Sequence, residues 1–185
     1  PGPRFITKNV NGITSTVPET LAAIAGAHAR KPITAIFLQD HKIPRNKSVE
    51  TSKLGERKRL FVAMAHGWTD RRGVTHGGTA IVIPYDSIER EHNETLHKAI
   101  ERIRRTIKRR GDGKAVSINT RVKGKPRRLL SVYAPVKGTV AERTTFFGSI
   151  KNMVNRSTYI GMDANCTPNP ALDRAEAAST ARPRS

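Results

Sequence analysis

The stretch Ile33-Thr34-Ala35-Ile36-Phe37-Leu38-Gln39-Asp40-His41-Lys42 decides the fold. Its first six residues form a nearly continuous apolar run of strand length, without the alternation of a strand that has one wet face. Such a strand is buried on both sides and needs a layer above and a layer below. It ends directly on a carboxylate and two further polar residues. In layered α/β folds the C-terminal ends of strands are where ligand sites collect. Three other segments repeat the arrangement: Lys8-Asn9-Val10-Asn11-Gly12 closes a strand at Phe5–Val10, Val132-Tyr133-Ala134-Pro135 closes one at Leu129–Tyr133, and Ile160-Gly161-Met162-Asp163-Ala164-Asn165 closes one at Tyr159–Met162. Each alone is ordinary turn chemistry, since Asn, Asp and Gly favour turns. Together they bring Asn, Asp, Tyr, Asp and Asn to the ends of four strands, which supplies hard oxygen ligands and hydrogen bonds for a phosphate.

Further strands are expected at Leu60–Ala65, Thr79–Ile83 and Ala115–Val122. Thr16 and Glu19 read as a capping box that opens a helix, with Pro18 in its first turn, running to about Ala29. Thr139 and Glu142 repeat the box before a helix expected to carry Phe146, Phe147, Ile150 and Val154 inward. Within Asn93–Arg110, Leu96, Ile100, Ile103 and Ile107 fall on one helical stripe. Alternating strands and helices, with consecutive strands in the middle, predict an α/β sandwich of mixed sheets.

The chain has 185 residues, enough for one domain, with 34 Lys+Arg against 15 Asp+Glu and a formal net charge of +19. That excess calls for a polyanionic partner. It concentrates in residues 98–128, where 13 basic residues meet two acidic ones. Arg102, Arg104, Arg105, Lys108, Arg109, Arg110, Arg127 and Arg128 are the candidate phosphate contacts. Aromatic residues are only 5%, so contact with the backbone of duplex DNA or structured RNA is better supported than base stacking. Trp68 reads as a packing or edge residue, or else Gly67-Trp68 faces a groove. Met64, Met153 and Met162 read as core. The single cysteine, Cys166, excludes an internal disulfide framework and fits a reducing, intracellular compartment. No apolar run is long enough to cross a bilayer, so no membrane partner is expected. The start at Pro1, without Met, is that of a piece of a longer chain, and residues 175–185 read as a tail.

The motifs Asn9-Val10-Asn11-Gly12, Leu38-Gln39-Asp40-His41-Lys42, Gly77-Gly78-Thr79-Ala80-Ile81, Tyr133-Ala134-Pro135, Gly161-Met162-Asp163-Ala164-Asn165 and Leu172-Asp173-Arg174 occur in this order. The ordered set resembles the endonuclease/exonuclease/phosphatase superfamily, and within it the endonuclease domains of non-LTR retrotransposons. The resemblance implies a DNase I-like four-layer α/β/β/α sandwich over residues 1–174, C-terminally incomplete, with a basic insertion at about 93–128. It also implies hydrolysis of a phosphodiester with Mg²⁺, or Mn²⁺ in its place. By the same resemblance Asn9 and Asp40 would hold the metal, Tyr133 would bond the scissile phosphate, Asp163 would orient water, and Asn165 would stabilise transition-state charge. Asn11 and Arg174 would position the loop or the DNA rather than act in the chemistry. Two departures stand out. Asp40 replaces the family's glutamate and is one methylene shorter, and the family's closing Ser-Asp-His-type triplet is absent. None of the six histidines is an obvious substitute; His76 is the one placed to line a cleft.

Three functions follow from this reading. The first is a nuclear DNA-nicking domain of a retrotransposon polyprotein, weak or inactive as this chain. The second is a catalytically dead nucleic-acid-binding protein of a ribonucleoprotein, an organellar one included. The third is a small-molecule or lipid phosphatase of the same superfamily.

Overall fold

The computed structural model describes residues 2–135 and 139–165. In chain order its elements are β1 (Phe5–Asn9), α1 (Val17–Arg30), β2 (Ala35–Gln39), α2 (Ser48–Arg57), β3 (Leu60–Ala65), β4 (Trp68–Thr69), β5 (Thr75–His76), β6 (Thr79–Pro84), α3 (Leu96–Arg105), β7 (Lys108–Arg109), β8 (Ala115–Val122), β9 (Lys125–Tyr133), α4 (Val140–Ile150) and β10 (Thr158–Asp163). One sheet has the order β1-β2-β6-β3 and a second the order β10-β9-β8-β7, while β4 and β5 form a separate small hairpin. Both large sheets are mixed: β1 runs parallel to β2 and β10 parallel to β9, and the other pairs are antiparallel.

Three apolar clusters define four layers. Phe37, Ala63, Ile81 and Ile83 on one sheet meet Val116, Ile118 and Leu129 on the other, and Ala99, Ile100 and Ile103 of α3 join them. The outer face of the first sheet, with Ile36, Leu38 and Val82, packs on Val17 and Leu21 of α1 and on Leu54 of α2. The outer face of the second, with Leu130 and Val132, packs on Phe146 and Ile150 of α4. The result is the α/β/β/α sandwich that the motif order implies.

All five residues of β2 are buried, as its unbroken apolar run requires. Its last residue, Gln39, is 1% exposed, and its Nε2 donates to Ser131 Oγ and to the Gly161 carbonyl of the opposite sheet. Ser131 Oγ in turn donates to the Leu38 carbonyl, so a buried polar clamp pins the two sheets together just below the rim that carries the strand ends.

Several local expectations change. The helix within Asn93–Arg110 stops at Arg105; the chain then turns, and Lys108 and Arg109 become an edge strand on β8. Ile107 still packs on the inter-sheet core, so the stripe is apolar for a reason other than helix. Thr16 makes no side-chain cap bond: its ψ of 21° lies outside the extended conformation that an N-cap needs. Thr139, with ψ 165°, forms the full capping box with Glu142. Of the residues expected inward from α4, Phe146 and Ile150 are buried, while Phe147 and Val154 are exposed. Met64 is core, Met153 is partly buried, and Met162 is on the surface. Helix α2 has no counterpart in the apolar pattern because its buried residues are Thr51 and Gly55. Cys166, Leu172-Asp173-Arg174 and the expected tail lie outside the described residues.

Candidate active site

β1, β2, β9 and β10 end along one rim, and their polar termini meet there. Asn9 Nδ2 donates to Asp163 Oδ2 at 2.6 Å although the two residues are 154 positions apart. The other oxygen of Asp163 accepts the Asn165 backbone N–H at 3.0 Å. Asn165 Nδ2 donates to the Ala134 carbonyl at 2.6 Å, and the same side chain hydrogen-bonds Tyr133. Asn9 Oδ1 accepts the Asn11 N–H at 2.9 Å, and Asn11 Oδ1 accepts from Lys42 Nζ at 2.8 Å. The Lys42 ammonium stands 3.4 Å from Asp40 Oδ2, while Asp40 Oδ1 accepts the Gly77 N–H at 3.1 Å. One continuous chain of polar contacts therefore runs round the rim from Asn165 to Gly77.

Tyr133 lies within this ring. Partial burial raises its pKa, the charges of Asp40 and Asp163 raise it further, and a hydrogen bond with Asn165 pulls it back. Its hydroxyl thus stays protonated and able to donate at physiological pH, facing both carboxylates. The resemblance named Asn9, Asp40, Tyr133, Asp163 and Asn165, and the structure brings all five together. Lys42 and Asn11 also belong to the ring. The signal for Lys42 was its place two residues after Asp40.

The backbone at this rim is unusual. Asn11, Asp40, Lys42 and Asn165 all have positive φ, at 44°, 55°, 56° and 46°. For Asp40 and Lys42 such a conformation costs on the order of 1–2 kcal/mol each. It turns the chain out of β2, so the simple strand rule that would separate Asp40 from His41 does not apply. His41 instead drops into the core at 0% exposure, directly beneath Gly78. Gly78 has φ +91°, and a Cβ there would sit 2.4 Å from the imidazole, so only glycine fits. The His41 pKa falls to about 4, chiefly through burial, against smaller upward pulls from the Thr79 and Ala65 backbone. A neutral, enclosed imidazole with Nδ1 accepting the Ile43 N–H is a structural residue and not a base. His76 stands at the rim but is bonded to Asp70, at 3.0 Å.

Among the described residues no cluster of three or more His, Cys, Asp or Glu side chains stands ready for a metal ion. The oxygens of Asp40, Asp163 and the nearby amides are nonetheless the donors Mg²⁺ takes when it keeps several waters and shares a phosphate oxygen. The donor set fits that mode, provided Lys42 yields its place beside Asp40.

The basic segment does not form one face. Arg102 grips Glu94 through two 2.9 Å bonds, and Arg104 pairs with Glu56 and Glu101. Arg110 pairs with Asp112 and stacks over Phe146. Arg109 donates Nε to the Met64 carbonyl, and Arg128 donates to Asn119 Oδ1. Arg127 lies over Tyr159. Arg105 and Lys108 are exposed. Arg127 and Arg128 are the third and fourth residues of β9, whose last residue is Tyr133. Five strand steps from Arg128 to Tyr133 span about 17 Å. Arg174 lies outside the described residues.

No family model and no curated protein sequence matches the chain. Solved structures do. The endonuclease domain of TRAS1, a telomere-specific non-LTR retrotransposon, aligns over 96% of this chain and 70% of its own length, at 12% identity and TM-score 0.52. The 3′ phosphatase NExo from Neisseria, bound to a product DNA hairpin, aligns over 90% of this chain at 17% identity and TM-score 0.57. An endonuclease/exonuclease/phosphatase family protein from Leptotrichia buccalis aligns over 94% at 13% identity and TM-score 0.51. This chain spans 59% of the Neisseria protein and 71% of the Leptotrichia one. Strand order, rim chemistry and these likenesses agree: the chain has the fold of the endonuclease/exonuclease/phosphatase superfamily.

Proposed function

We propose that the rim cleft hydrolyses a phosphodiester of nucleic acid with Mg²⁺, or Mn²⁺ in its place, in the manner of a retrotransposon endonuclease acting on nuclear DNA. The observation that carries this is the 2.6 Å bond from Asn9 to Asp163 across 154 positions, which a chain of polar contacts through Asn11 and Lys42 continues to Asp40. In this reading Asp40 and Asn9 hold the metal, whose contribution is to neutralise charge on the phosphate. Tyr133 donates its hydroxyl hydrogen to a phosphate oxygen. Asp163, fixed by Asn9 and the Asn165 N–H, accepts a hydrogen bond from the attacking water and aligns it. The Asn165 amide, next to Tyr133, turns an N–H to the oxygen that gains charge. Turnover is slow, because no imidazole among the described residues faces Asp163, and loss of a general base typically costs about 10²- to 10⁴-fold.

The test is nicking of supercoiled plasmid at high enzyme concentration. Slow nicking is expected with Mg²⁺ and none with excess chelator, and Asp163→Ala should reduce it at least about 100-fold. Asp40→Glu should lower the Mg²⁺ concentration needed. Nicking that persists in chelator, or in Asp163→Ala, would overturn the assignment. A second reading, nucleic-acid binding without catalysis, is favoured by one observation: Asp40 is short and already engaged by Gly77 N–H and Lys42. Tight binding with no metal-dependent nicking by wild type or Asp40→Glu would establish it.

A further inference from the structure

The hairpin of β4 and β5 belongs to none of the three apolar clusters, yet it is built with care. Trp68 and His76 are cross-strand partners whose rings stack at 4.6 Å and 27°. Asp70 Oδ2 holds the outer nitrogen of His76 at 3.0 Å, and Asp70 Oδ1 accepts the N–H groups of Arg72 and Val74 at 2.8 and 3.0 Å. The hydrogen bond from His76 is the largest of the effects that lower the Asp70 pKa. Thr69 and Thr75 hydroxyls meet across the hairpin at 3.1 Å. At its base, Gly67 N–H is tied to the Ile43 carbonyl, and Gly77, next after His76, donates to Asp40 and lies against the Tyr133 ring. The hairpin is therefore a rigid extension of the catalytic rim.

What it presents is unusual for a surface. Trp68 is 47% exposed and Val74 50% exposed, and Arg71 and Arg72 form the exposed turn. Asp70 is the one acid of the hairpin, and its carboxylate is spent on His76 and two backbone donors. One face of the indole stacks on His76, and nearly half of the residue stays exposed to a ligand. An exposed aromatic plate, fixed before any ligand arrives, with two guanidinium groups beyond it, suits a base with a free π-face on a polyanionic strand.

We propose that the Trp68 plate stacks an unpaired base of the nucleic acid whose phosphodiester enters the adjacent cleft, with Arg71 and Arg72 on flanking phosphates. This rests on the nucleic-acid reading of the cleft and adds a preference to it: strands with an unpaired nucleotide bind better than perfect duplex. The charges contribute to both, but only the unpaired base can reach the indole face.

Trp68 is the only tryptophan of the chain, so its fluorescence reports on this hairpin alone. The protein is titrated with a fully paired duplex and with the same duplex carrying a one-nucleotide bulge, reading dye anisotropy for binding and Trp68 emission for stacking. Quenching by the bulged duplex is expected, with little change for the paired one. Trp68→Ala should weaken the bulged duplex roughly 5- to 100-fold, the usual worth of one stacked base, and leave the paired duplex within about threefold. Trp68→Phe should recover part of the loss. Arg71→Ala with Arg72→Ala should weaken both and flatten the log–log salt slope by about two units. Anisotropy showing tight binding of the bulged duplex, with Trp68 emission unchanged and Trp68→Ala binding as wild type, would overturn the hairpin proposal and leave the cleft assignment standing. Absence of binding to any nucleic acid would overturn both. Because Trp68 is on the surface, its replacement is not expected to unfold the protein, and the emission of wild type tests the proposal without any variant.

Discussion

Gly161 shows how a single residue holds the site together. On β10 its backbone lies against Phe37, and a Cβ there would come within 2.2 Å of the Phe37 ring. Phe37 is 2% exposed and wedged between the sheets, so it cannot retreat. Gly161→Ala should therefore push β10 outward and destabilise the fold by about 1–3 kcal/mol, the usual cost of overpacking. Asp163 is two residues on, so its 2.6 Å bond to Asn9 should lengthen as well. Urea denaturation would read the first effect and the loss of metal-dependent nicking the second; a variant as stable and as active as wild type would contradict this account. At the residue scale the sequence was most legible where chemistry and turn preference coincide, as at Asn9, Asp40 and Asn165. It was least legible where a residue acts through a neighbour. Lys42 reads as one more surface lysine until its ammonium is seen between Asn11 and Asp40. His41 reads only as pointing away from Asp40, and its complete burial beneath Gly78 shows once the left-handed turn is seen.

Among the elements, strands β3 and β8 were readable to the residue: β3 because burial on both faces leaves an apolar run with sharp ends, β8 because Val116, Ile118 and Val122 alternate with the polar Ser117, Asn119 and Arg121. Helix α2 was not, since its one apolar contact is Leu54 and its fully buried positions are Thr51 and Gly55, which leaves no apolar stripe to find. Helix α3 was half legible. Its stripe of Ala99, Ile100 and Ile103 is real, but its charged face is not simply open to a polyanion. Glu94, just before the helix, takes Arg102 in a two-pronged grip, and this bond, above all, holds the Glu94 carboxyl down to about 2. The sign is that of a depressed acid. The native state binds its proton more weakly than the unfolded chain, so the pair stabilises the fold above pH 4.5, and the contribution is lost as pH falls through about 2. Wild type should therefore be more stable than Glu94→Gln from neutral pH down to about 4.5, and the gap should close at lower pH. Urea midpoints measured from pH 7 to 3 would show it. A gap independent of pH would mean that shape, not charge, holds Arg102.

For the whole molecule, the mixed α/β sandwich followed from the pattern of strands and helices and its four layers from the family resemblance, but the distribution of charge followed from neither. A count over residues 98–128 suggests one basic surface. In space Arg127 and Arg128 lie well back along β9 from Tyr133, and Arg102 and Arg104 are already paired with Glu94, Glu56 and Glu101. Lys42 is the basic group within the ring itself, and Arg71 and Arg72 sit in the exposed turn of the hairpin that joins it at Gly77. The bond between Asn9 and Asp163 has a further consequence, in the order of folding. It closes a separation of 154 residues, and β10, which supplies Asp163, is hydrogen-bonded on one side only, to β9, among the described residues. Non-local contacts of this span form late, and edge elements open first. Backbone amides of β10 should thus exchange with deuterium faster than those of β2, which is enclosed between β1 and β6, and nicking should fail at a urea concentration below the global midpoint. Equal protection of the two strands would rule this out. A ribosome that has released the first sheet has still released no active site: Asn9 and Asp40 must wait, already folded, for a partner made more than 120 residues later.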